Sequence, residues 1–207
     1  MVLLQAGEIL AEPGERLSYL YFPINCSISL YYHMASGESA EIGMIGNEGM
    51  FSITSIMSGE TLPYQTIIET TGHAIRISIE VLKDESSHAE ALQRILLLYA
   101  QARLTQMAQA TVCGKKHTLE QHLCFHLLLV HDNSLSDDFI LTHESMAHML
   151  GVRRECVTKT AGKLRSSGLI DYQWGHIRII DRAGLEAQCC ECYEVVKREF
   201  KRLLSYK

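Results

Sequence analysis

Residues 139–181 read FILTHESMAHMLGVRRECVTKTAGKLRSSGLIDYQWGHIRIID. Within this stretch Val157, Ala161 and Leu164 recur at about i, i+4 and i+7, which is one buried helical face. Arg153, Arg154, Cys156, Thr158, Lys159, Thr160 and Lys163 then fall on the other face. Side chains of these types at the start of one helix suit hydrogen bonding to base edges in the major groove of duplex DNA. A guanidinium from Arg153 or Arg154 can make two parallel hydrogen bonds to a guanine O6/N7 edge, and Glu155 can accept from a cytosine amino group. A carboxylate turned towards a polyanion is electrostatically unfavourable, so Glu155 favours base reading over simple attraction. Further along, His176 and Arg178 are placed to approach phosphate.

These residues need a frame, and the flanking sequence supplies one. Thr142 is a good N-cap for a helix whose apolar face is Met146, Ala147, Met149 and Leu150. Gly151 allows a tight turn, and Val152 plugs the space between two helices. The second helix starts at about Arg153 and ends near Gly168-Leu169-Ile170. A hairpin follows, with its turn near Trp174-Gly175 and with Ile177 and Ile179 alternating with His176, Arg178 and Ile180. The layout is a winged helix-turn-helix. The plainer reading is a helical domain with a solvated basic face, but the turn, the spacing, the paired arginines and the wing coincide.

The net charge of −5 taken alone argues against a nucleic-acid binder. Its distribution argues for one: residues 1–113 hold 5 basic and 12 acidic side chains, residues 114–207 hold 14 and 12, and residues 142–182 hold 7 and 4. No run of eighteen apolar residues and no basic-then-apolar start occurs, so a membrane partner and a secretory signal are not expected. The seven cysteines lack a secreted-domain spacing and suit a reduced, cytoplasmic protein. Cys189, Cys190 and Cys192 are expected as core and surface residues of a helical tail over 185–204, because neighbouring helical positions point in different directions. His122 and His126 lie four apart on a helix, but no third ligand completes a metal set. No metal and no cofactor is therefore expected.

Residues 1–80 alternate short β-rich runs (17–23, 27–33, 40–45, 65–70, 74–79) with turn signals at 6–8, 12–15, 36–38, 46–49, 58–60 and 71–73, which predicts a sandwich or jelly roll. Gly46, Asn47, Glu48, Gly49 and Met50 form a loop that could meet a ligand or could simply turn the chain. Residues 85–112 lack Pro and Gly and predict one long helix closed by Gly114. Leu92, Tyr99, Gln106 and Cys113 recur at sevens, and Ile95, Ala102 and Gln109 follow three residues behind. That seam is expected at a homodimer interface, since an operator with two half-sites needs a two-fold protein. Thr118 caps a further helix with Leu119, Leu123, Leu127 and Val130 inside.

An acidic β-domain, a long helix and a terminal winged helix-turn-helix, in this order, resemble the cyclic-AMP receptor/fumarate-nitrate regulator (Crp/Fnr) superfamily of bacterial transcription factors. The resemblance covers nearly the whole chain. It is carried by LGVRRECVTKTAGKLRSSGLI followed by GHIRIIDRAGLE, and by Gly14-Glu15, Tyr21-Phe22-Pro23 and IGNEGMF. It implies an α+β fold: a cyclic-nucleotide-binding-like β-roll over 1–80, a dimerisation helix over 81–113 and a winged helix-turn-helix domain over 114–207. It also implies that Arg154, Glu155 and Lys159 occupy the three base-reading positions, and that Thr142 and His143 meet backbone phosphate. Lys159 stands where the best-known members have arginine; it keeps the charge and loses the bidentate fork.

Two departures qualify the resemblance. The cyclic-AMP-binding members carry a glycine-glutamate-leucine loop and then an arginine and a small hydroxyl residue. Here the loop is Gly46-Asn47-Glu48-Gly49-Met50, and the later segment is Leu62-Pro63-Tyr64-Gln65-Thr66 without an arginine. A cyclic phosphate would lack its cationic partner, and Arg76 lies too far along to replace it. Cyclic AMP is therefore not the expected effector; loop 46–50 with Tyr64, Gln65 and Thr66 is the candidate site for an unknown small molecule. The N-terminal cysteines of the iron–sulfur members are also missing. The expectation is a cytoplasmic, non-enzymatic, homodimeric regulator of a palindromic DNA operator, with RNA polymerase as a further candidate partner. The rivals are a redox- or metal-responsive regulator using the C-terminal cysteines, and a sensor that acts through a protein partner.

Overall fold

The computed structural model describes the chain except residues 36, 38, 58–60, 135 and 205–207, with backbone alone at 85–88. The turn expected at 58–60 lies outside the described residues, as does all but Gly37 of the turn at 36–38. Strands β1 (Val2–Leu4), β2 (Ile9–Ala11), β3 (Tyr19–Pro23), β4 (Ser27–His33) and β5 (Ser39–Ile45) lead to a short helix α1 (Ile53–Met57) and then to β6 (Gln65–Thr70) and β7 (Gly72–Ser78). They form two antiparallel sheets, β2-β6-β4-β5 and β1-β7-β3. Leu4, Cys26, Ile28, Leu30, Phe51, Leu62 and Ile68 fill the core of this β-roll. The β-rich runs expected at 17–23, 27–33, 40–45, 65–70 and 74–79 thus fall on β3 to β7.

The helix expected over 85–112 is two helices. α2 (Ile79–His88) and α3 (Glu90–Lys116) meet at Ala89, whose backbone is extended at φ −119° and ψ 96°. Tertiary packing makes the break, since α2 lies against α1 and β7 whereas α3 leaves to pack on β5 and on the C-terminal helix. Gly114 does not end α3; a Cβ there would stand 3.2 Å from the His122 ring, so the missing side chain admits that imidazole.

The C-terminal domain is built around α4 (Leu119–Asp132), which is buried on nearly every side from His122 to Val130. Thr118 and Gln121 form a capping box at its start. Then come β8 (Asp138–Ile140), α5 (His143–Leu150), α6 (Arg154–Ser166), β9 (Ile170–Gln173), β10 (His176–Ile179), α7 (Arg182–Gln188) and α8 (Glu191–Leu204). Thr142 caps α5 by accepting from the Ser145 amide at 3.0 Å, and Gly151 closes it in the left-handed region at φ 64°. β8 adds a third strand to the wing hairpin, in the order β8-β10-β9; at three residues it is too short for a periodic signal. The tail expected as one helix over 185–204 is broken at Cys189 and Cys190, and α8 folds back along α3. The reader domain also rests on the β-roll: α5 packs on β5, and Met44 enters the core made by α4, α5 and α6.

Candidate nucleic-acid interface

Helix α6 buries Val157, Ala161 and Leu164 and exposes Arg153, Arg154, Glu155, Thr158, Lys159 and Lys163. The 3.6-residue period thus aims one row at α5 and α4 and leaves the other open. Arg153 is the N-cap, so its side chain and those of Arg154 and Glu155 leave the first turn, where the helix end itself attracts anions. Among the described residues Arg153, Glu155 and Lys159 make no side-chain hydrogen bond or ion pair. Arg154 approaches Glu144 only loosely, at 3.9 Å, and Lys163 lies 3.6 Å from Glu120. Thr158 donates to the Arg154 carbonyl at 3.1 Å.

Two residues of the expected set turn inward. His143, expected at phosphate, is 7% exposed and lies flat on Tyr172, with ring centroids 4.0 Å apart. Its Nδ1 meets the Thr158 hydroxyl at 3.0 Å. Because that hydroxyl already donates to a carbonyl, Nδ1 carries the proton, and the buried Nε2 is left without a partner. Burial first, and then the Arg154 charge, hold the His143 pKa below the usual imidazole range. His143 therefore braces α5 against α6 and β9 and is not free to take a phosphate. Thr160 is likewise buried and donates to the Cys156 carbonyl. Thr142 is exposed, with its hydroxyl committed to the α5 cap.

In the wing, Arg178 and His176 both reach Asp138, at 2.9 and 3.3 Å, and their hydrogen bonds and charges hold its carboxyl below the usual range. Both remain exposed, but part of their charge is spent within the wing. The turn itself puts Trp174 at φ 55° and Gly175 at φ 82°, as a two-residue hairpin of the primed kind demands. Trp174 is 89% exposed at the tip. The sequence marks it only as part of a turn; the structure adds that its indole is bare to water at the wing tip.

The candidate effector residues do not line one cavity. Gly46 and Gly49 answer to the chain's own side chains: a Cβ would fall 2.1 Å from Asn133 Oδ1 at Gly46 and 2.2 Å from the Tyr99 hydroxyl at Gly49. Asn47, Glu48, Gly49 and Met50 border a groove of about 910 Å³ walled mainly by α3 and the end of α8, with Phe22 and Leu82 completing it. Tyr64, Gln65 and Thr66 lie outside that groove. Gln65 bonds Glu12 and His33, at 3.0 Å each, and Thr66 is fully buried in the sheet. The cation beside this region is Arg103, which is remote from that segment in sequence and carries no local signal. It enters from α3, buried, and donates to the Met44 carbonyl and to Gln106 Oε1, both at 2.5 Å. Around it stand Glu41, Glu48, Tyr64 and Tyr99.

The seam read at sevens also faces inward. Tyr99, Ala102 and Gln106 are buried within the single chain, with the Tyr99 hydroxyl donating to the Met50 carbonyl at 3.1 Å, and Leu92 packs against the same cluster. Leu92 and Ile95 line the groove. A repeat of seven marks one face of a helix without saying what covers it, and here the β-roll and α8 do. The apolar side chains that α3 leaves open are Leu97, Leu104, Met107 and Val112.

Comparison with known proteins bears on the same elements. Residues 1–88 match the family model described as a cyclic nucleotide-binding domain, and residues 121–188 match a Crp-like helix-turn-helix domain. The global nitrogen regulator of Synechococcus elongatus is 21% identical over 193 residues, covering 89% of this chain and 87% of that protein. The protein of the same name from Synechocystis is 20% identical, covering 85% and 82%. Two solved structures share the fold: a CRP-family transcriptional regulator from Thermus thermophilus (TM-score 0.74, 18% identity, 91% of this chain and 96% of that one) and FixK2 from Bradyrhizobium japonicum (0.78, 13%, 91% and 96%). The cyanobacterial relatives are thus named as regulators and the Thermus protein as a transcriptional regulator. Both domains are matched, in this order and over most of the length, and the chain belongs to the Crp/Fnr superfamily of transcription regulators.

Proposed function

We propose that this regulator binds a two-fold symmetric DNA operator as a homodimer and reads it through the first turn of α6. The observation that carries this is the exposed, uncommitted row of Arg153, Glu155 and Lys159, with Arg154 beside it. Thr158 and Lys163 extend the row, while Thr142, His176 and Arg178 flank it where backbone phosphate would run. The open apolar face of α3 supplies the two-fold contact. The protein works in the cytoplasm, on DNA, and RNA polymerase is the partner through which bound dimer changes transcription. Selection of genomic fragments by the purified chain at stated salt tests this. A palindromic site should be enriched, and Arg154→Ala should cost about 1–3 kcal/mol and relax preference at one base pair. Unchanged selection by that variant would refute the placement of α6 in the groove.

We further propose that the effector is not a cyclic nucleotide. The carboxyls of Glu41, Glu48 and Glu69 are all held in buried or half-buried surroundings, and Glu41 and Glu48 stand close to Arg103, the cation that α3 sends there. A cyclic phosphate would be desolvated beside them. An apolar ligand in the groove bordered by Asn47 to Met50 would touch α3 and α8 together and so bias the reader's position. Enrichment that depends on cyclic AMP or cyclic GMP would overturn this reading.

A further inference from the structure

Four potential metal donors that lie far apart in sequence come together at the end of α3. Cys113 sits on the last turns of that helix and His117 caps it. Cys190 lies in the break between α7 and α8, and Cys192 in the first turn of α8. The four donor atoms all lie within 4.8 Å of one another, and the three cysteines are buried. Cys113 Sγ is 3.4 Å from Cys190 Sγ, and Cys192 Sγ is 3.6 Å from His117 Nδ1. The other ring nitrogen, Nε2, lies 3.5 Å from a Glu191 carboxylate oxygen.

We infer that Cys113, His117, Cys190 and Cys192 form a binding site for one zinc ion. Zinc–sulfur bonds near 2.3 Å and zinc–nitrogen bonds near 2.0–2.1 Å in a tetrahedron separate two sulfurs by about 3.8 Å and a sulfur from a nitrogen by about 3.5 Å. The Cys192–His117 pair matches its spacing, whereas closing the shell needs the Cys113–Cys190 pair to widen by about 0.4 Å and the widest pairs to contract by up to about 1 Å. A multi-iron cluster would hold its ligands farther apart than this. Three thiolates and one imidazole are a closed donor set of the structural kind, with no position left for water. Glu191 completes the arrangement as a positioning residue, because a carboxylate on the second nitrogen fixes the imidazole tautomer that leaves Nδ1 free to bind. On uptake the three thiols release up to three protons to solvent and the imidazole enters neutral. The ion would join the end of α3 to the start of α8, fixing the tail against the long helix.

The test is metal content of the full-length chain purified without chelator. About one zinc per chain is expected. Cobalt exchanged into the site should give thiolate charge-transfer bands and the intense visible absorption of a tetrahedral ion. Cys113→Ser and Cys192→Ser should each lower zinc content at least about tenfold, and Glu191→Gln should weaken affinity about 10–100-fold. Cys156→Ser, an exposed thiol outside the set, should change nothing. If the cysteine variants fail to fold, a mercurial thiol reagent added to the wild-type chain should release zinc in step with thiol modification. Four results would each overturn the inference: no zinc or cobalt bound at equimolar supply, iron with acid-labile sulfide in its place, a Cys113–Cys190 disulfide in freshly isolated protein, or full zinc in a Cys113→Ser, Cys192→Ser double variant.

Discussion

Single side chains in this regulator often serve two masters, and their surroundings decide which prevails. His143 and Tyr99 have the chemistry for an outward role, yet each is closed in by its own chain. Trp174 is the opposite case: a bulky residue in the left-handed region is costly, and nothing in the monomer covers its indole. DNA docked on α6 would cover it. Trp174→Ala should therefore weaken operator binding about tenfold, or ~1.4 kcal/mol, with little effect on stability. It is the one tryptophan of the chain, so its own fluorescence should change when operator is added. Fluorescence indifferent to DNA would place the wing tip away from the duplex. At Gly46 the constraint is steric, and Gly46→Ala must displace Asn133, whose amide donates to the Leu129 carbonyl at 2.8 Å. A loss of about 1–3 kcal/mol in denaturant unfolding is expected, and a neutral result would mean the loop yields freely.

Elements carry a different kind of argument, because their contacts couple many groups. Where β5 and β6 meet α5, Glu41 faces Glu69, Arg103 and the Tyr31 hydroxyl, and Glu69 in turn meets Ser145 and His148. Burial, and then the Glu69 charge, push the Glu41 carboxyl up to about 8. The folded chain then holds a proton that the unfolded chain releases near pH 4.5, so stability falls as pH rises from there through 8. Burial acts in the opposite sense on His122 and His126, lowered to about 4 and about 3, and their effect is confined below pH 6.5. Between pH 7 and 8.5 stability should drop by on the order of 1 kcal/mol, and Glu41→Gln should flatten that slope. A slope that survives the substitution would assign it elsewhere. Elements were legible in proportion to their local signals. The helix-turn-helix and its wing have caps, a left-handed glycine and a turn dipeptide, all readable one residue at a time. The break at Ala89 has no such mark, because packing of α2 on α1 and β7 makes it. The gathering of Cys113 with Cys190 was hidden by a separation of 77 positions and by a tail that bends at Cys189 and Cys190.

At the scale of the whole molecule, α3 is the element on which the β-roll, the tail and the proposed two-fold contact all converge. Its inward row, with Tyr99 4% exposed, is occupied by loop 46–50 and α8; its outward row, with Leu104 68% exposed, is open along much of its length. The two rows make opposite forecasts. Tyr99→Ala removes a buried ring and its hydrogen bond to the Met50 carbonyl, and should cost about 3–5 kcal/mol of stability. Leu97→Glu with Leu104→Glu changes side chains that are 60% and 68% exposed in the monomer. That pair should leave thermal unfolding of the monomer nearly unchanged while placing like charges across a two-fold axis. Sedimentation should then report monomer where the proposed wild-type dimer is expected, and operator affinity should fall steeply because each half-site is bound alone. If the double variant stays dimeric, the two-fold contact lies on another face, and the spacing of the two recognition helices would have to be set by something other than α3.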